Sequence, residues 1–284
     1  MLSTVAGGGQ LDPPVGVPVS PTGPIAIYPQ NFVFPRTISQ PGTYVLMGDF
    51  VIDDGMPQTN TGFVIDADDV TIDLNGFEIR GDGMGPSGGD RAFFPGNAEV
   101  RNFVAKNGRI RDINRVSVDN GVTDVFIASR FEDLIIDNVN GVVVPPEGTM
   151  ERCVIRGSSG DGAVIVGADG IVRDCVIDGF EGYAIQVRTR AIVEDNIISN
   201  GLTPDSVAVV STLVAPGTVG VHRIRRNLIH NVFTPFDIDL GVPGSFVHNN
   251  IVTRYVNNSD LSGSDAPVAP NSASAGPFHN VFVP

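Results

Sequence analysis

One short phrase returns along this chain. Glu151-Arg152-Cys153-Val154-Ile155-Arg156 comes back as Arg173-Asp174-Cys175-Val176-Ile177-Asp178, then as Glu194-Asp195-Asn196-Ile197-Ile198-Ser199. It comes back again as Arg225-Arg226-Asn227-Leu228-Ile229-His230 and His248-Asn249-Asn250-Ile251-Val252-Thr253. Weaker copies centre on Phe77, Gly108 and Leu134. Successive copies lie 19 to 31 residues apart, about 25 on average. A period in this range marks a solenoid, a propeller or an array. Each repeat holds only short β-like pieces, such as 184–187, 191–194 and 197–199, separated by Gly, Asp, Asn or Pro. Three strands in about 25 residues leave no room for a helix. Parallel strands without crossover helices must coil around one axis. A propeller blade, with four antiparallel strands and about 40 residues, fits worse. The reading is an all-β solenoid, a parallel β-helix.

Composition agrees. The 34 Gly and 21 Pro make up about a fifth of the 284 residues, and Lys106 is the only lysine. Helix formers are scarce, while β-branched and turn residues are abundant. The net charge of −14 excludes a phosphate-backbone binder, which needs a basic surface. It would also repel polyanionic sugars unless a cation or an Arg cluster intervened. No apolar run reaches the ~18 residues of a membrane span. The first ten residues show no signal-peptide pattern, so an extracellular or virion location implies prior processing, another export route or release by lysis.

Val70-Thr71-Ile72-Asp73-Leu74-Asn75-Gly76-Phe77-Glu78-Ile79 and the recurring aliphatic-x-Asp-Asn-x-Ile phrase resemble right-handed parallel β-helix repeat proteins, the pectate-lyase-like superfamily. The resemblance implies a single-stranded right-handed parallel β-helix of about eight coils. Its strands are termed PB1, PB2 and PB3, and stacked Asn often fill the PB2–PB3 turn. Three segments follow: a Pro/Gly-rich extended arm at 1–35, the β-helix at 36–256 and a tail at 257–284. By resemblance Asn196, Asn227 and Asn250 occupy that turn, where Asn tolerates a left-handed backbone and bonds to the next coil. Cys153 and Cys175 would stack in the same turn at ~4.8 Å. In-register parallel neighbours meet disulfide torsions poorly, so they read as buried free thiols.

Charges form columns. Glu151, Arg173, Glu194 and Arg225 alternate in sign from copy to copy. Asp133, Arg152, Asp174, Asp195 and Arg226 form a second column, and Asp137, Arg156 and Asp178 a third. Opposite charges on neighbouring strands attract by ~0.2–1 kcal/mol, so these residues are expected to set coil register.

In the resembling enzymes the active cleft lies on the outer face of PB1. Strand alternation projects Val143, Ile165, Gln186, Ala208 and Asp239 outward, with Ala163, Ala184, Ser206 and Asp237 beside them. That face is small and apolar until Phe236-Asp237-Ile238-Asp239. Asp237 and Asp239 share one strand face, ~6.6 Å apart, and could act as an acid/base pair or bind Ca²⁺, the one cofactor that suggests itself. Arg188 and Arg190, with Gln186, could clamp a sugar acid, although a charged turn is the commoner meaning. The four His show no metal spacing, and His222, His230 and His248 read as exposed strand or turn residues.

Two functions compete. The first is a non-catalytic structural or adhesive subunit on a virion or cell surface. Its arm and tail would form a homo-oligomer, and it could contact polysaccharide. The second is a polysaccharide lyase, hydrolase or epimerase acting on PB1, or a carbohydrate-binding module without turnover.

Overall fold

The computed structural model describes residues 23–31, 35–52, 61–81, 90–97, 99–117, 125–160, 162–211, 222–239, 246–255, 260–262 and 280–283. Among them no α-helix occurs. One 3₁₀ turn, Pro29–Asn31, stands beside an otherwise all-β chain.

All described pairings are parallel, and most strands pair with their equivalent one repeat later. Thr149–Glu151 pairs with Ile171–Arg173, Val154–Ser158 with Val176–Phe180, and Gly162–Val166 with Tyr183–Val187. A strand thus meets the strand three places on, which winds the chain as a three-stranded coil and lays three parallel sheets along a solenoid. The first sheet includes Gly162–Val166, the second Thr149–Glu151 and the third Val154–Ser158.

Corners between sheets demand a left-handed residue, and the sequence supplies one per coil. Asn107, Asp133, Arg152, Asp174, Asp195, Arg226 and Asn249 all have φ near +55° at the corner between the second and third sheets. Asp112, Asn138, Gly157, Gly179, Asn200, Asn231 and Arg254 do the same near the C-terminal ends of the third-sheet strands. Asn, Asp and Gly accept this conformation most readily, which explains the turn-rich composition. The two arginines at the first corner, Arg152 and Arg226, are held by ion pairs across coils. Asn196, Asn227 and Asn250 were expected to take the left-handed position themselves. It falls one residue earlier, and their role is bonding.

The interior is apolar and largely aliphatic, and its larger spaces are filled by rings. Phe50, Phe63, Phe93, Phe103 and Phe126 follow one another with centroids 4.9–6.1 Å apart. Later coils use mainly Val and Ile, with Cys153, Cys175, Phe180 and Phe236 among them. Residues 25–27, within the expected arm, pair with Tyr44–Leu46, and Val281–Val283, within the expected tail, pairs with Ile251–Thr253. The rest of the arm before residue 23 and the tail from 263 to 279 lie outside the described residues. No described helix is long and apolar enough to cross a membrane.

Candidate functional site

The corner between the second and third sheets holds the densest buried polar structure. Asn196, Asn227 and Asn250 are almost fully buried there. Each side-chain oxygen accepts the backbone N–H of the rung before: Cys175 N to Asn196 at 3.0 Å, Asn196 N to Asn227 at 3.0 Å, and Asn227 N to Asn250 at 2.9 Å. Each amide nitrogen donates onward, Asn196 to Asn227 Oδ1 at 3.0 Å and Asn227 to Asn250 Oδ1 at 2.9 Å. Its second hydrogen goes to a strand carbonyl such as Val193 O. Asn280 is a further rung, accepting from Asn250 N at 3.0 Å. Seventeen residues outside the described set, 263–279, precede it, so its place in the series was not visible from spacing. Cys153 and Cys175 fill the same slot as free thiols. Cys175 Sγ donates to Met150 O, three residues before Cys153, much as Asn196 donates to Val172 O. Hydrogen bonding between the two thiols, then burial, pushes the Cys153 thiol well above its ordinary pKa.

The charge columns stand beside this ladder. Arg173 lies in register between Glu151 and Glu194, and its ion pair is with Glu151. Glu194 pairs instead with Arg225 at 2.7 Å. Glu132 and Glu151 meet in register, a like-charge step. Arg152 reaches both, and Asp133 as well, at 4.0, 2.7 and 2.8 Å. Burial opposes ionisation of Glu151, but hydrogen bonds from Arg152 and Arg173 hold its carboxyl below the usual range. Hydrogen bonds from Arg152 and Arg226 likewise lower Asp133 and Asp195.

On the outer face of the first sheet, Val143, Ile165, Gln186, Val210 and Asp237 stand in one column. Val210 and Asp237 take the places expected for Ala208 and Asp239. Ala208 is fully buried, as are Phe236 and Ile238. The apolar stretch is no free surface: Val143, Ile165 and Val210 are 3, 8 and 4 % exposed. Asp237 is exposed and faces Asp260 in register, one coil on. Asp239 pairs with Ser262 through its backbone, and its side chain lies outside the described set. Arg188 ends the Tyr183–Val187 strand and donates its N–H to Val166 O. Arg190 is a left-handed corner residue ion-paired with Asp169 on the neighbouring coil. Gln186 thus shares a column with Asp237, whereas Arg190 belongs to a corner. No group of three His, Cys, Asp or Glu able to hold a metal occurs among the described residues.

His222 corrects the expectation of exposure. It is 3 % exposed, and its Nδ1 accepts the Ala191 N–H at 3.4 Å. Burial lowers its pKa. His230 bonds to Thr253 at 2.7 Å.

One feature escaped the sequence reading. On the outer face of the third sheet, Ile135, Val154, Val176, Ile197, Leu228, Ile251 and Val281 follow each other in register. Ile135, Ile197, Leu228, Ile251 and Val281 are 39–51 % exposed. The signal was present: each repeat carries two consecutive aliphatics, and a strand can bury only one of them.

Comparison of the chain with protein-family models, curated proteins and solved structures found no match in any of the three.

Proposed function

We propose that the chain is a right-handed parallel β-helix of about eight coils, of pectate-lyase-like type, and that it serves as a non-catalytic structural or adhesive subunit on a virion or cell surface. The observation that carries this reading is where the charged side chains go. Arg109 bonds to Asp137, Arg111 to Glu78, Arg152 to Asp133, Arg173 to Glu151, Arg190 to Asp169, Arg225 to Glu194 and Arg226 to Asp195. Each of these pairs ties one coil to the next. Together with the amide ladder they support a stiff rod. At its two ends, the strands Phe50–Ile52 and Phe246–His248 carry a partner on one side only among the described pairings. Such edges invite further strands. Light scattering and negative-stain microscopy of the full chain test this. A discrete oligomer or fibre is expected, and deletion of residues 1–22 should alter it. A monomer at every concentration would overturn the reading.

Exposed Asp237, with Asp260 in register, favours a second reading, a polysaccharide-active or carbohydrate-binding first sheet. Release of reducing or unsaturated sugar that disappears in Asp237→Asn would establish it.

A further inference from the structure

We propose that the aliphatic stripe on the third sheet is a contact surface for a second copy of this chain, packed face to face and antiparallel about a two-fold axis through Ile197. The inference rests on the reading of the chain as an assembling solenoid. Six register steps carry the stripe from Ile135 to Val281, ~29 Å at ~4.8 Å each. The strands beneath Val154, Val176, Ile197, Leu228 and Ile251 are five residues wide, ~16 Å. Two such faces bury roughly 1,000 Å² in all, the floor for a specific interface. The expected dimer is therefore micromolar.

Charge chooses the orientation. Two positions after the stripe run Asp137, Arg156, Asp178, Ser199, His230 and Thr253. Two positions before it run Asp133, Arg152, Asp174, Asp195, Arg226 and Asn249. A parallel dimer would set each flank against the other at the same level. Asp137 would then face Asp133, Arg156 would face Arg152, Asp178 would face Asp174, and His230 would face Arg226. Like charges would meet at the first three of these levels. The antiparallel dimer sets each flank against itself in reverse order. Asp178 then faces His230, Asp174 faces Arg226, and Arg156 faces Thr253. Its one like-charge meeting, Asp195 with Asp195, falls on the axis, where each carboxylate is already bound by its own Arg226 at 2.6 Å.

Sedimentation velocity of the full chain between ~1 and ~100 µM tests the contact. Wild type should shift from monomer to dimer or larger species. Ile197→Lys places two cations on the axis and should weaken the association at least 100-fold. Its circular dichroism and Tm should stay unchanged, because Ile197 is 44 % exposed. A second measurement fixes the geometry. Ile197→Cys should be joined to itself by a short bis-maleimide. Val154→Cys should be joined to Ile251→Cys in a mixture but not to itself. Self-joining of Val154→Cys would overturn the antiparallel arrangement. Association of Ile197→Lys equal to wild type would overturn the stripe contact and leave the assembly reading standing. A wild type that stays monomeric at ~100 µM would overturn both.

Discussion

Replacing Asn227 with alanine removes the central rung of the amide ladder. The lost side chain accepts from Asn196 N and Asn196 Nδ2, both at 3.0 Å, and donates to Val193 O and Asn250 Oδ1 at 3.0 and 2.9 Å. Asn250 Oδ1 keeps the Asn227 backbone N–H. Two groups are left without their partner at a buried corner, the Asn196 backbone N–H and one Asn196 amide hydrogen, and the Val193 carbonyl loses the second bond that it accepts beside its strand pairing. A buried polar group that loses its bond costs ~1–3 kcal/mol. The expected loss is about 2–6 kcal/mol, out of a total stability of ~5–15 kcal/mol for a folded domain. Asn280→Ala is the control. That rung is half-buried and ends the series, so water can replace it, and a loss of about 1 kcal/mol is expected. Urea unfolding followed by circular dichroism reads both. With a slope of ~3 kcal/mol/M, the Asn227→Ala midpoint should fall by about 1–2 M. A fall no larger than that of Asn280→Ala would refute the argument that the ladder is a continuous buried network.

Other outcomes follow from the same corner and its neighbours. Arg152→Ala leaves Glu132 and Glu151 facing each other without the cation that reaches both, so Tm should drop more at low salt than at high salt. Arg152→Asn, which suits the left-handed backbone, should recover part of that drop and none of its salt dependence. His222 is neutral in the fold with a lowered pKa, so the unfolded chain binds its proton first. Stability should hold above pH ~6.5 and fall as the pH drops from there through the lowered folded value, and His222→Gln should flatten that part of a Tm–pH curve. At lower pH, protonation of Glu151, Asp133 and Asp195 should remove stability that is complete above pH ~4.5. Cys153 and Cys175 should resist a thiol reagent in the native state and react once urea unfolds the chain, because both are buried and the Cys153 pKa is raised.

The solenoid was legible because stacking in register gives equivalent positions equivalent surroundings, and the sequence repeats accordingly. Glu151, Arg173, Glu194 and Arg225 are such a case: the sign alternates, and each arginine pairs with the glutamate of the coil before it. The first sheet was harder to read. Placing Ala208 and Asp239 in the column of Gln186 assumed that each coil enters that sheet at the same offset. The turn around Thr203 and Ser206 shifts the strand by two residues and brings Val210 into line with Gln186. Asn280 was hidden by the long excursion before it. His222 was misread because an apolar corner can bury an imidazole that accepts a backbone N–H, and nothing in its neighbours announces that. The third-sheet stripe needed only the rule that consecutive side chains point oppositely, applied to pairs such as Ile197-Ile198 and Leu228-Ile229.

The ladder also has a direction. From Asn196 to Asn280 every inter-rung amide bond points the same way, and the rungs are spaced unevenly in sequence, 31, 23 and 30 residues apart, with Cys175 a further 21 before Asn196. A molecule held at its N-terminal end and pulled from its C-terminus would meet these bonds one after another. Each release would free a different length of slack chain. At ~3.5 Å per extended residue, the coils would lengthen the tether by roughly 105, 80, 110 and 75 Å in turn. That uneven sequence of steps is a mechanical signature written by turn length, although the steps between the rungs in the intact rod are nearly equal.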